Sequence, residues 1–233
     1  MYSDRYNSSL IRSNQYDTIE QIQGWLNQNY DSSVDLGCGT CRKTIRLSSY
    51  VSKIFAIDRN QSMLQASQKI LDAKGISNIR LIEADNFATP LPSRSFDVVT
   101  SFLSRYSSSE VHRLLKRDGK FIIEAVGGND KRQLKKAFGT DDIGPRGMLL
   151  NQTPEERLTY LKYELSSLFE IEKLINVEFN THLNRAGLIE LLTQTPTIRG
   201  FSLSKDIDTV NALCSNEIVT FNEHRIIILA RSV

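Results

Sequence analysis

Val34-Asp35-Leu36-Gly37-Cys38-Gly39-Thr40 reads as a short apolar strand that runs into a glycine turn. Glycine at 37 and 39 permits a sharp turn at positive φ and lets a ligand lie against the main chain. The turn also opens a helix over residues 40–50, so backbone N–H groups point at whatever the loop holds. Alone, a Gly-x-Gly pair is a weak signal. Its weight comes from the ends of the next two strands. Lys53–Ile57 is a short apolar strand, and Asp58 stands at its tip, nineteen residues beyond Gly39. An acid there can accept hydrogen bonds from both ribose hydroxyls of an adenosine. Ile79–Ala84 is the third strand, and Asp85-Asn86-Phe87 comes directly after it. An acid or amide at that place can meet an adenine amino group, and Phe87 can pack on the base. Three candidates at three successive strand ends converge on one edge, where open α/β sheets bind ligands.

The rhythm of the chain supports this frame. Residues 60–74 read as a helix ended by Gly75. Asp97–Ser101 is a fourth strand, Ser107 or Ser108 caps a helix carrying Val111, Leu114 and Leu115, Asp118-Gly119 is a turn, and Lys120–Val126 is a fifth strand. Alternating strands and helices predict a parallel sheet with helices on both faces, and the short apolar strands suit burial. Beyond Val126 the pattern changes: a basic helix near 130–138, a loop over 139–153, a helix over 154–168 with Pro154 in its first turn, a strand over 169–179, a helix over 183–194 and a last strand over 221–229. Ile19, Ile22, Trp25 and Leu26 predict a helix over about 14–29.

Bulk properties narrow the class. The chain has 233 residues, 40% hydrophobic and 24% charged, with net charge +2. That suits one α/β domain and carries no overall bias toward polyanions. Three cysteines, Cys38, Cys41 and Cys214, are no disulfide framework. The polar first ten residues are not expected to be a signal peptide, and no run approaches the roughly 18 apolar residues of a membrane span. A cytoplasmic setting is expected, with no membrane partner.

VDLGCGT (34–40), FAIDRNQSML (55–64), IEADNFATPLPSRSFDVVTS (82–101) and LLKRDGKFIIEAV (114–126) resemble the successive motifs of class I S-adenosylmethionine-dependent methyltransferases, in the group around the ubiquinone- and biotin-pathway enzymes. The resemblance covers about 30–127. It implies a Rossmann-like, doubly wound, mostly parallel seven-stranded sheet with an antiparallel last strand, helices on both faces and an inserted cap after strand 5. The chain would be a single methyltransferase domain with an N-terminal helical lid (1–30), a cofactor-binding core (31–127), a cap (128–168) and C-terminal strands and helices (169–233). The implied cofactor is S-adenosyl-L-methionine. Its methionine end would meet Asp35 and Ser101, Gly37 and Gly39 would allow its approach, Asp58 would hold the ribose, Asp85, Asn86 and Phe87 would hold the adenine, and Cys38, Arg59 and Met63 would also contact it. The family loop carries a third glycine where this chain has Cys41. A dinucleotide loop would instead need glycine at 42, which is Arg42.

Catalytic groups are less legible. Ser101-Phe102-Leu103-Ser104-Arg105-Tyr106 replaces the N-P-P-Y tetrapeptide of base N-methyltransferases, which favours a small-molecule O-, C- or N-acceptor. Arg105, Tyr106, Arg146 and His182 are candidates for substrate contact, with His182 as a candidate base. An RNA acceptor is the alternative, suggested by Lys131, Arg132, Lys135, Lys136 and Arg146 and by Thr195-Pro196, but the four-cysteine zinc module of such enzymes is missing. A binding protein without turnover is the third reading. The basic cluster is expected to be a solvated helix face. Cys38 and Cys41 are expected to be small residues of a cofactor loop, since no second Cys/His pair stands at zinc spacing, and no metal is expected. Asp97 is expected to be structural, His112 partly exposed, and His224 a surface turn residue. The tyrosines Tyr2, Tyr6, Tyr16 and Tyr30 could line a lid or simply pack.

Overall fold

A computed structural model describes residues 16–26 and 30–233. Tyr2, Tyr6 and most of the expected lid lie outside the described residues. Of the expected first helix, the described part is α1 (Thr18–Ile22), capped by Asp17, and a short 3-10 turn over Gln23–Trp25.

The sheet has seven strands: β1 (Tyr30–Leu36), β2 (Val51–Asp58), β3 (Ile79–Glu83), β4 (Phe96–Phe102), β5 (Leu115–Val126), β8 (Phe169–Asn184) and β9 (Ile218–Ser232), in the order β3-β2-β1-β4-β5-β9-β8. The first five strands pair in parallel, and the last two in the chain, β8 and β9, make the antiparallel end of the sheet. This is the Rossmann-like order expected. The chain steps outward from β1 to β3 and then restarts on the other side of β1 with β4. The carboxyl ends of β1 and β4 therefore form the switch point of the sheet, where Asp35 pairs with Thr100 in register. Helices α2 (Arg42–Leu47), α3 (Gln61–Lys74) and α4 (Ser108–Leu114) connect these strands. Asn60 caps α3 at its start, and Gly75 ends it at φ +65°. Ser107 caps α4.

The described residues fall into two compact units. One holds 17–125, 160–175 and 226–233; Val34, Leu36, Ile54, Ile57, Val99, Phe121 and Ile122 are fully buried in it. The other holds residue 16, 126–159 and 176–225. It contains α5 (Arg132–Ala137), a two-residue hairpin of β6 (Thr140–Asp141) and β7 (Gly144–Pro145), the start of α6 (Pro154–Leu165), α7 (Arg185–Gln194) and α8 (Leu203–Leu213). Its core gathers Leu134, Phe138, Leu183, Leu188, Leu191 and Val210.

Several expectations are corrected. The chain does turn at Asp118-Gly119, but inside a strand rather than before it: β5 starts already at Leu115, the register slips between Phe96 and Val98 of β4, and Asp118 takes φ +61°. The bulge absorbs these residues. His224 is no surface residue. It lies inside β9, 1% exposed, where Nδ1 accepts the Asn129 N–H at 3.1 Å and Nε2 bonds Asn176 Oδ1. The basic cluster is a solvated face only at Lys136, which is exposed, and in part at Arg132, which is half-buried. Lys131, Lys135 and Arg146 are buried, the lysines against Asp130 and Arg146 bidentate on Asp206 at 2.7 and 2.9 Å. Buried cations need such partners, and the acids that supply them are distant in sequence or hidden among neighbours.

Candidate functional site

The glycine loop is held by hydrogen bonds before any ligand is considered. Gly37 and Cys38 donate their N–H groups to Ile57 O at 2.8 and 2.9 Å, which ties the end of β1 to β2. Gly37 and Gly39 sit at φ +75° and +54°, the left-handed region that glycine enters without strain. A Cβ on Gly37 would lie 1.9 Å from Ser104 Oγ, so this glycine is needed for packing as well as for the turn. Nothing lies within 4 Å of where a Cβ on Gly39 would be, so the main chain there is open to approach. Cys41, at the place of the family's third glycine, keeps glycine-like geometry with φ +58° while fully buried.

Beneath the loop, Asp35 is 2% exposed and accepts hydroxyl hydrogen bonds from Thr44 and from Thr100, the latter at 2.8 Å. Burial pushes its carboxyl above the ordinary carboxylate range, against the pull of these hydroxyls and of Lys43. The Cys38 thiol is pushed up by its hydrogen bond with Cys41 and then by burial.

Asp58 carries two structural bonds of its own. One carboxylate oxygen accepts the Gly39 N–H at 2.9 Å, and the other accepts the Asn60 N–H at 2.9 Å. Each oxygen keeps a second lone-pair site. Ser67 of α3 donates to Gly39 O at 2.9 Å and so clamps the loop from the other side. Arg59 is exposed, and Met63 is half-buried in the first turn of α3.

The third strand end and the fourth are latched together. Asn86 Nδ2 donates to Ser104 Oγ at 3.1 Å and to Arg105 O at 3.0 Å, and the Arg105 guanidinium lies 5.4 Å over the half-exposed Phe87 ring. Asp85 accepts the Phe87 N–H at 2.9 Å. Asn86 Oδ1 is buried with no hydrogen-bond partner among the described residues. Ser101 is buried and donates to Ser104 O at 3.3 Å, while Leu103 takes φ +57° to turn the chain. Tyr106 donates to Glu164 at 3.2 Å.

The loop residues, Asp58, the Asp85–Phe87 segment and Ser101–Tyr106 all belong to the first unit. His182 and Arg146 belong to the second. His182 is half-buried and bonds Thr220 Oγ1 at 2.6 Å through Nδ1. Arg146, besides Asp206, donates to Arg199 O and Gly200 O, so its guanidinium is committed inside the unit. Asp97 accepts from Ser32 N–H at 3.0 Å and from Lys116 at 2.6 Å, and Ser32, Lys116 and the strand start are what it organises.

One pair escaped sequence reasoning. Glu124 of β5, 3% exposed, is ion-paired with Lys43 of α2. The available signal was a lone acid inside the apolar run Phe121-Ile122-Ile123-Glu124-Ala125-Val126.

Residues 34–119 match the family model described as a methyltransferase domain. A demethylmenaquinone methyltransferase of Geobacillus stearothermophilus is 33% identical over 76 residues, 31% of this chain and 32% of that protein. The biotin biosynthesis bifunctional protein BioHC of Saccharophagus degradans is 26% identical over 147 residues, 55% of this chain and 26% of that protein. The chain thus spans about a third and a quarter of the lengths of these two relatives. A crystal structure from Bacillus halodurans C-125, described as a methyltransferase, superposes with TM-score 0.67 at 14% identity over 92% of this chain and 98% of that one, which shows the shared fold.

Proposed function

We propose, from the premise that this chain belongs to the class I S-adenosylmethionine-dependent methyltransferases, that it methylates a small-molecule acceptor at the edge formed by the carboxyl ends of β1 to β4. The observation that carries this reading is the convergence of the open Gly39 backbone, the Asp58 carboxylate and the orphaned Asn86 Oδ1 within one unit. A buried acceptor without a donor costs free energy, and an exocyclic amino group is the kind of donor that relieves it. The residues present therefore fit an adenosine with an amino-acid tail. Asn86 and Asp85 would hold the base, Asp58 the ribose, and Asp35, Gly37 and Ser101 the methionine end. Arg59, Met63, Cys38 and Phe87 belong to the same proposal.

When bound, the cofactor supplies an electrophilic methyl group on sulfur. The chain's part is chiefly alignment of the nucleophile, together with exclusion of water. The Ser104–Asn86 and Arg105–Phe87 contacts hold the loop after β4 against the loop after β3, and Tyr106 is anchored by Glu164. On this reading Arg105 and Tyr106 would face the acceptor.

The small-molecule reading is supported over RNA by two things. The names of both relatives refer to small-molecule pathways. Lys131, Lys135 and Arg146 are committed to internal ion pairs and offer no row of cations to phosphates. Among the described residues no helix is long and apolar enough to cross a membrane. Three reduced thiols suit a reducing, cytoplasmic setting.

Incubating the protein and a lysate with methyl-labelled S-adenosylmethionine tests the acceptor class. Label in the low-molecular-weight fraction is expected. Label confined to RNA would overturn the small-molecule reading, and no labelled product at all would favour a binding protein.

A further inference from the structure

Three strand ends meet at Ser104. The chain leaves β4 through Leu103 at φ +57°, and the Leu103 N–H donates to Glu124 O of β5 at 2.8 Å. Ser101 Oγ donates to Ser104 O at 3.3 Å and closes the same turn. From the end of β1, Gly37 backs directly onto the serine: a Cβ there would lie 1.9 Å from Ser104 Oγ and 3.1 Å from Asn86 Nδ2. From the end of β3, Asn86 Nδ2 donates to Ser104 Oγ at 3.1 Å and to Arg105 O at 3.0 Å. A backbone carbonyl only accepts, so the Asn86 atom that faces Arg105 O is the nitrogen, and the amide has one orientation. Both of its protons are used in these two bonds. Oδ1 is the end left over, buried and without a donor among the described residues.

We propose that Ser104 is a positioning residue for recognition of the base: together with Arg105 O it fixes the Asn86 amide so that Oδ1 accepts from an exocyclic amino group and rejects a carbonyl in its place. This rests on the S-adenosylmethionine reading above. An amide free to turn would offer Oδ1 to an amino group or Nδ2 to a carbonyl, and would select neither. A fixed one leaves two acceptors facing each other with no proton between them when a carbonyl arrives, which is costly once water is excluded. Selection of the base therefore resides in the turn after β4, the segment assigned to the acceptor, as well as in the Asp85–Phe87 segment.

Calorimetric titration of S-adenosylhomocysteine and S-inosylhomocysteine tests it, since the second ligand carries a ring carbonyl where the first has its amino group. The proteins are the wild type, Ser104→Ala, Asn86→Ala and the double variant, each checked for folding by thermal melt. The wild type is expected to bind the adenine ligand at least about tenfold more tightly. Ser104→Ala removes one oxygen and is expected to lower that ratio about three- to fivefold. Asn86→Ala is expected to lower it at least as far, and adding Ser104→Ala to it is expected to change the ratio no further. Weaker binding of both ligands to Ser104→Ala at an unchanged ratio would mark a merely structural serine and overturn the proposal. An unchanged ratio in Asn86→Ala, a further drop in the double variant, or a wild type that binds both ligands equally would overturn it too. Wild-type protein that binds neither ligand would instead defeat the cofactor reading itself.

Discussion

Cys41 shows how a single residue can depart from a pattern while the backbone keeps it. The sequence showed only that a glycine was missing. The structure shows the αL conformation retained by a small buried side chain. Holding a non-glycine residue there costs about 1–2 kcal/mol, and burying the side chain returns a similar amount. Cys41→Gly should therefore shift stability by no more than about 1 kcal/mol in a thermal melt, with cofactor affinity retained. Gly37 differs. Gly37→Ala would drive a methyl group into Ser104, and we expect about 2–3 kcal/mol of destabilisation with loss of the Asn86–Ser104 contact. Asp35 adds a pH effect. Its carboxyl is raised on folding by burial, so the folded state holds its proton more tightly than the unfolded chain. Its contribution to stability is then present at acid pH and is lost as pH rises from the ordinary carboxylate range through its folded value. Relative to wild type, Asp35→Asn should gain stability as pH increases across that window, measured by denaturant unfolding at several pH values.

At the scale of elements, periodicity and caps carried most of the first half. Asn60, Gly75 and Ser107 ended or began helices where their chemistry demands it. The helix α8 was missed, although Ser202 caps it and Leu203, Ile207, Val210 and Leu213 recur at helical spacing. The basic cluster was misread for a different reason. Charge alone cannot tell a solvated face from a buried network when the partner acid is far along the chain, as Asp206 is from Arg146. That pair anchors the 139–152 loop, through Phe138 O, Arg199 O and Gly200 O, to α8. Asp206→Ala should destabilise by about 3 kcal/mol, because it strands a buried guanidinium. A far smaller loss in urea denaturation would show that the guanidinium is re-solvated easily.

Over the whole molecule, the strand order and the site edge were legible because parallel β-α alternation leaves few topologies, and because acids at strand ends stand out against apolar strands. Glu124 was hidden by the same logic, since it lies within a strand rather than after one. The second half was legible only in outline, its long antiparallel strands and buried ion network being set by pairings distant in sequence. His224 belongs to that network. Burial lowers its pKa, so the unfolded chain takes the proton more readily. Its contribution is present above the ordinary histidine value of about 6.5 and is lost as pH falls below it. Thermal melts from pH 7.5 down to about 5 should show a decline that His224→Gln reduces, provided the variant folds.

The central claim is that the edge carrying Gly39, Asp58 and Asn86 binds S-adenosylmethionine. Isothermal titration of the wild type and Asp58→Ala, both checked for folding by thermal melt, tests it most directly. Saturable binding to the wild type, with affinity at least about tenfold weaker for Asp58→Ala, is the result expected from losing a charged hydrogen-bond acceptor. No binding to the wild type, or equal binding to both proteins, would contradict it.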